Sequence, residues 1–263
     1  MSSCLGSGGR TTDMSKDIGS ILDSWQFSTD GTLVRRLIGN DGREKIQRRI
    51  DLGILQMNAE GRPDGVTPYG FPSLYDYLKS KAEEVESDLD SEFSVTAEDC
   101  QALQSEALLY YQRRICFFEL QDYTSAAQDA RRNLEVFEFV REYAEREEDI
   151  VNVDQYRGFV IYHRAKAEVL GCLEKKEYDF ALSYIDRAER ELMDFYTQYG
   201  GEETFEDGDE FQQLELWREQ IERLRPLSQR EILENELKEA VERENYERAA
   251  EIRNEIQRIN GHG

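Results

Sequence analysis

Two runs of apolar residues at helical spacing, separated by only two residues, constrain this chain more than any other feature in it. Leu103, Ala107, Tyr111, Ile115 and Phe118 recur every three or four positions, and after Gln121-Asp122 the pattern resumes with Tyr123, Ala126, Ala127, Ala130, Leu134 and Phe137. Such spacing puts each set on one face of a helix, and so short a connection makes the two helices antiparallel neighbours. A second pair follows, with Tyr156, Phe159, Val160, His163, Ala167 and Leu170, then Tyr178, Ala181, Leu182, Ile185, Ala188, Leu192 and Phe195. Both second helices open Tyr-x-x-Ala: small residues let a helix approach its partner closely, while the tyrosine plugs the open end of the hairpin. A further helix with Phe211, Leu214, Trp217, Ile221 and Leu224 runs up to Pro226. The expected fold class is mainly α, built of helical hairpins.

Helix starts are marked by Ser73-x-x-Asp76, Thr96-x-x-Asp99 and Ser228-x-x-Glu231, where a hydroxyl can accept a free backbone N–H and the acid sits at the positive end of the helix dipole. Residues 80–99 read as an acidic connector, and 200–210 as an acidic loop without the alternating ligands of a calcium site.

Ahead of the helices, the pattern differs. Ile18, Ile21, Leu22 and Trp25 share a face of a short helix within Asp17–Phe27; then Asp41-Gly42 separates Thr32–Ile38 from Lys45–Ile54, the signature of a β-hairpin. A helix over Arg43–Met57 is the rival reading. Gly61-Arg62-Pro63-Asp64-Gly65 through Pro72 reads as loop. The expected domains are therefore a disordered tail over 1–15, a small N-terminal α+β module over 16–72, a helical-hairpin scaffold over 73–226 and a terminal hairpin over 227–260.

Charge follows the same division. The chain carries a formal net charge of -23, yet residues 16–65 are neutral, so the excess acid belongs to the helical region. A surface of that sign repels phosphate backbones and argues against direct nucleic-acid binding. Apolar runs such as Ile54-Leu55 fall far short of the roughly 20 residues that span a bilayer, and no membrane association is expected. The four cysteines, Cys4, Cys100, Cys116 and Cys172, lie far apart, which suits reduced thiols in the cytoplasm. With two histidines in the chain, neither a metal site nor a catalytic triad is expected, and no cofactor or enzymatic activity. The N-terminal arginines Arg35, Arg43, Arg49 and Arg62 form a candidate anion site, with Arg35 and Arg49 on one face of the hairpin; pairing with the chain's own carboxylates is the competing reading.

The hairpins resemble tetratricopeptide repeats, although Arg114 stands where a small residue is usual and Tyr123 to Tyr178 exceeds the 34-residue repeat. The last segment is more specific. Leu233, Leu237 and Ala240, then Tyr246-Glu247, Ala249-Ala250, Ile252-Arg253 and Ile256 resemble the UVR motif of the excision-repair proteins UvrB and UvrC, with Asn254 in place of the usual Asp and Tyr246 in place of the usual Phe. Asp41-Gly42-Arg43, Gln47 and Asp51-Leu52-Gly53 extend the likeness to bacterial UVR-motif-containing proteins. The resemblance implies a short antiparallel hairpin that contacts proteins, in excision repair or Clp-type proteolysis. It implies that Leu233, Leu237, Ala240, Tyr246, Glu247, Ala249, Ala250, Arg253 and Ile256 form the partner-binding surface of a non-enzymatic adaptor. Docking on the chain's own helices and pairing with a second copy as a homodimer stay open, and Glu234/Lys238, Glu239/Arg243 and Glu244/Arg248 suit any exposed helix. The reading from a different class is a small-ligand sensor or enzyme using the N-terminal arginines.

Overall fold

A computed structural model describes residues 18–28, 33–86, 92–199 and 209–260. The tail expected over 1–15 and most of the acidic loop lie outside the described residues. The chain divides into two units, Met1–Gly171 and Cys172–Gly263.

In the first unit the Asp41-Gly42 hairpin forms, with Gly42 at φ +75°, a backbone conformation a side chain would strain. Strands β1 (Val34–Ile38) and β2 (Glu44–Ile50) pair antiparallel, and the rival helix over Arg43–Met57 does not form. The run expected to continue to Ile54 turns instead at Asp51-Leu52 into β3 (Gly53–Asn58), which pairs with β2 from Ile50↔Gly53 to Lys45↔Asn58. Arg49 explains the turn: its guanidinium donates to the carbonyls of Ile50, Asp51 and Gly53, holding the bend closed from beneath. The expected N-terminal helix is only α1 (Gly19–Ser24), and none of its residues is buried.

One face of the sheet buries Val34, Ile46 and Met57 in a cluster with Cys116, Phe117, Ala126, Ala127 and Ala167. The loop over 61–72, with a 3-10 turn at Pro68–Gly70, is tied down by polar side chains from α3 (Ala97–Glu119). Arg113 Nη1 donates to the carbonyls of Asn58 and Gly61 at 3.0 and 2.7 Å. Glu106, 1% exposed, accepts from Arg62 Nη1 and the Leu74 backbone N–H, both at 2.8 Å, and so satisfies the start of α2 (Leu74–Glu86). Helix α2 occupies the first part of the connector expected over 80–99. Its cap forms as expected, the Asp76 N–H donating to Ser73 Oγ at 3.1 Å; so does that of α3, Asp99 to Thr96 Oγ1 at 3.2 Å.

Helices α3 and α4 (Tyr123–Tyr143) make the expected hairpin. Its buried residues are not only the apolar stripes. Glu106, Arg113, Arg114, Asp129 and Asn133 are buried too, while Tyr111, Ile115 and Phe118 are half-buried. Arg113 forms a two-pronged pair with Asp129, at 2.9 and 2.6 Å. Between α4 and α6 (Arg157–Lys175) lies α5 (Glu147–Asp154), which helps account for the spacing of Tyr123 and Tyr178 beyond 34 residues.

The second unit holds α7 (Tyr178–Tyr199), α8 (Asp209–Leu224), α9 (Gln229–Glu242) and α10 (Tyr246–Asn260). Ala181, Ile185, Ala188 and Leu192 of α7 are buried, as are Leu214 and Ile221 of α8, and these helices pack together. Arg218 of α8 joins them, reaching Asp186 and Glu189 of α7 at 2.8 and 2.6 Å. Among the described residues of either unit, no helix is long and apolar enough to cross a membrane.

Candidate functional site

The terminal hairpin begins at a complete capping box. The Glu231 N–H donates to Ser228 Oγ at 3.2 Å, and the Ser228 N–H donates back to Glu231 Oε2 at 2.7 Å. Arg225 also donates to Glu231 and pairs with Asp179 at 2.9 Å. Hydrogen bonds from the Ser228 backbone and side chain and from Arg225 hold the Glu231 carboxyl far below the carboxylate range, at about 2.

The hairpin closes at Glu244, whose φ is +58°. The Glu244 N–H donates to the Val241 carbonyl at 3.0 Å and the Asn245 N–H to the Ala240 carbonyl at 2.8 Å, the paired bonds that end a helix on a left-handed residue. Among the described residues, two other helix ends use the same geometry. Gln121 (φ +58°) and Asp122 bond the carbonyls of Phe118 and Phe117; Lys176 (φ +60°) and Glu177 bond those of Leu173 and Cys172. After each turn comes Tyr-x-x-Ala: Tyr123 to Ala126, Tyr178 to Ala181, Tyr246 to Ala249.

Leu233, Ala240, Ala249 and Ile252 form the buried core between α9 and α10, with Leu237 and Ile256 packed against it. The nine residues expected to bind a partner therefore separate into two groups. Leu233, Leu237, Ala240, Ala249 and Ile256 hold the hairpin together. Tyr246, 70% exposed, and the exposed Glu247, Ala250 and Arg253 face outward. Tyr246, Ala250 and Arg253 stand at i, i+4 and i+7, a single stripe along α10. Ile252, 1% exposed, belongs to the core rather than the surface, and its position three residues after Ala249 and four before Ile256 signals as much.

Of the three ion pairs anticipated on this segment, Glu239–Arg243 forms at 3.2 Å. Glu234 instead takes Arg230 at 2.7 Å. Arg248 reaches Glu236 across the hairpin at 3.2 Å and Glu251 at 3.1 Å, because Glu244 lies in the left-handed turn and leaves the helical register.

The N-terminal arginines have other roles. Arg35 and Arg49 do lie on one sheet face, since Arg35 pairs in register with Gln47. Arg35, however, donates to Gln47 Oε1 at 2.7 Å and stacks on Trp25, with 4.1 Å from its Cζ to the ring centroid. Arg49 is buried and donates from Nε to the Trp25 carbonyl at 2.8 Å, besides closing the β2–β3 turn. Arg62 pairs with Asp64 at 2.9 Å and with Glu106, and Arg43 is exposed at the first turn. Among their neighbours, Arg36 pairs with Glu44 at 2.7 Å and with Asp122, and Arg48 with Glu119 at 3.9 Å. Arg36, Arg48 and Arg62 thus pair with carboxylates of the same chain, whereas Arg35 and Arg49 bind a glutamine and backbone carbonyls.

Residues 231–261 match the family model of the UVR motif, described as the UvrB/uvrC motif. No curated protein and no solved structure matches the chain.

Proposed function

We propose that the chain is a non-enzymatic adaptor that docks a protein partner through the outer stripe of its terminal hairpin. The observation that carries this reading is the division of the motif's residues: the inner set satisfies the hairpin itself, leaving Tyr246, Ala250 and Arg253 exposed in a row. Tyrosine and arginine are the side chains that most often dominate protein interfaces, and the alanine between them lets a partner backbone come close. The occurrence of UVR motifs in excision repair and Clp-type proteolysis supports a partner from one of those machineries, and the chain's acidity supports protein over nucleic acid as the contact.

The test is capture of one defined partner by the intact chain, Tyr246→Ala, Arg253→Glu and a chain ending at Pro226. The expected result is loss of capture by all three altered chains, with Tyr246→Ala costing about 2 kcal/mol or more, the scale of an interface hot spot. Undiminished capture by the shortened chain overturns the proposal. Light scattering reads the homodimer directly: an intact chain that is dimeric, with Tyr246→Ala monomeric, makes a second copy the partner.

A further inference from the structure

A cavity of about 380 Å³ opens in the first unit beside α3, α4 and α6, lined chiefly by apolar surface that includes Leu108, Tyr111, Phe137 and Phe159. Its size falls within the range of small-molecule sites, roughly 300–1,000 Å³. Two of its lining residues are polar and incompletely satisfied. Arg114 is 0% exposed, and among the described residues none accepts a hydrogen bond from its Nε, Nη1 or Nη2. Asn133 donates from Nδ2 to the Ala107 carbonyl at 3.1 Å, while its buried Oδ1 accepts no hydrogen bond from the described residues.

No carboxylate among the described residues accepts a hydrogen bond from Arg114. The carboxylate that acts on its charge, Asp129, is bound two-pronged by the neighbouring Arg113. The Tyr111 ring lies 5.3 Å from Arg114 Cζ. His163, packed at 4.0 Å on Phe159, stays neutral, since burial and then Arg114 push its pKa down to about 3, and a neutral imidazole balances no charge. Burial dominates the guanidinium as well, pulling it down to about 10 against the pull of Asp129. A guanidinium stays charged near neutral pH, and an isolated buried charge is destabilising. The fold carries that cost beside an apolar cavity of ligand size.

We propose that this cavity binds a small apolar monocarboxylate, with its carboxylate on Arg114 and its apolar body against Phe137 and Phe159. One buried cation balances one negative charge, and the planar fork of arginine matches a carboxylate. A phosphate dianion would leave surplus charge next to Asp129 in an apolar lining. The Arg114 nitrogens are closed to water, so entry needs a side-chain shift, and half-buried Tyr111 is within reach to make it.

The experiment is thermal unfolding of the full chain with straight-chain acids from butanoate to decanoate, phenylacetate and indole-3-acetate, with the matching amides, and with inorganic phosphate. At least one acid is expected to raise Tm saturably, as linkage requires, with the amides and phosphate inert. Arg114→Met is expected to raise Tm without ligand, because it removes an uncompensated charge. It is also expected to weaken the acid's half-saturation by about ten- to a hundredfold, the worth of a charge-assisted hydrogen bond. Leu108→Trp, on the exposed rim, should fold and block the cavity. The proposal is overturned if no acid in the series stabilises the chain, if the amides or phosphate act equally, or if the effect survives in folded Leu108→Trp. It is equally overturned if Arg114→Met melts below the wild type, which would show the guanidinium compensated from within.

Discussion

Glu106 shows what a buried charge does when it is partnered. It accepts from Arg62 and from the first backbone N–H groups of α2, so removing it strands a guanidinium and a helix start together. Glu106→Ala is expected to cost about 3–5 kcal/mol in urea unfolding, the usual penalty for breaking a buried pair from one side. His163 acts through pH. Its folded-state pKa lies near 3, against an ordinary 6.5, so the unfolded chain takes up a proton that the folded chain refuses. Stability therefore falls as pH drops from about 6.5 towards 3, and His163→Leu is expected to flatten Tm between about pH 7 and 5, above the range where most carboxylates titrate. Neither residue's role was legible in the sequence in full. His163 could be placed on an apolar stripe, but hydropathic periodicity assigns a glutamate or arginine to the solvent side. Only the packing of α3 against the 61–72 loop reveals that Glu106 and Arg113 point inward, whereas Arg114 already stood at a position where a small packed residue is usual.

Helix caps and tight turns were the most legible elements, because their chemistry is local: a hydroxyl three residues before an acid, or an Asp-Gly between two extended runs. The Asp51-Leu52 turn was not, since Arg49, a side chain that reads as surface, closes it from the buried side. The terminal hairpin's own elements yield two predictions. Glu244 adopts a left-handed conformation that costs a residue with a side chain about 1–2 kcal/mol. Glycine avoids that strain but adds unfolded-state entropy, so Glu244→Gly is expected to stabilise the hairpin by roughly 0.5–1 kcal/mol, read as slower amide exchange in α9 and α10. Glu231, with its pKa lowered from 4.5 to about 2, contributes stability that is complete above pH 4.5 and lost as pH falls towards 2. NMR of the Ser228 and Glu231 amides should show the start of α9 fraying in that window, and Ser228→Ala fraying it at neutral pH at a cost of about 1 kcal/mol.

Across the whole molecule, the net charge of -23 sets the response to salt. Surface ion pairs contribute little individually, whereas the surplus carboxylates repel one another over distances that salt screens. Tm is therefore expected to rise between about 10 mM and 0.5 M NaCl, and a fall would show that the ion pairs outweigh the repulsion. The three Tyr-x-x-Ala turns carry the last consequence. In mid-chain, Tyr123 is half-buried, both Ala126 and Ala127 are buried with Ala167 of α6, and a methyl group added at Gly171 would meet Tyr123 Cβ at 3.6 Å. At the end of the chain the same local pattern leaves Tyr246 and Ala250 uncovered. A partner that seats on Tyr246 as α6 seats on Tyr123 is therefore expected to present a helix notched with alanine and glycine one turn apart.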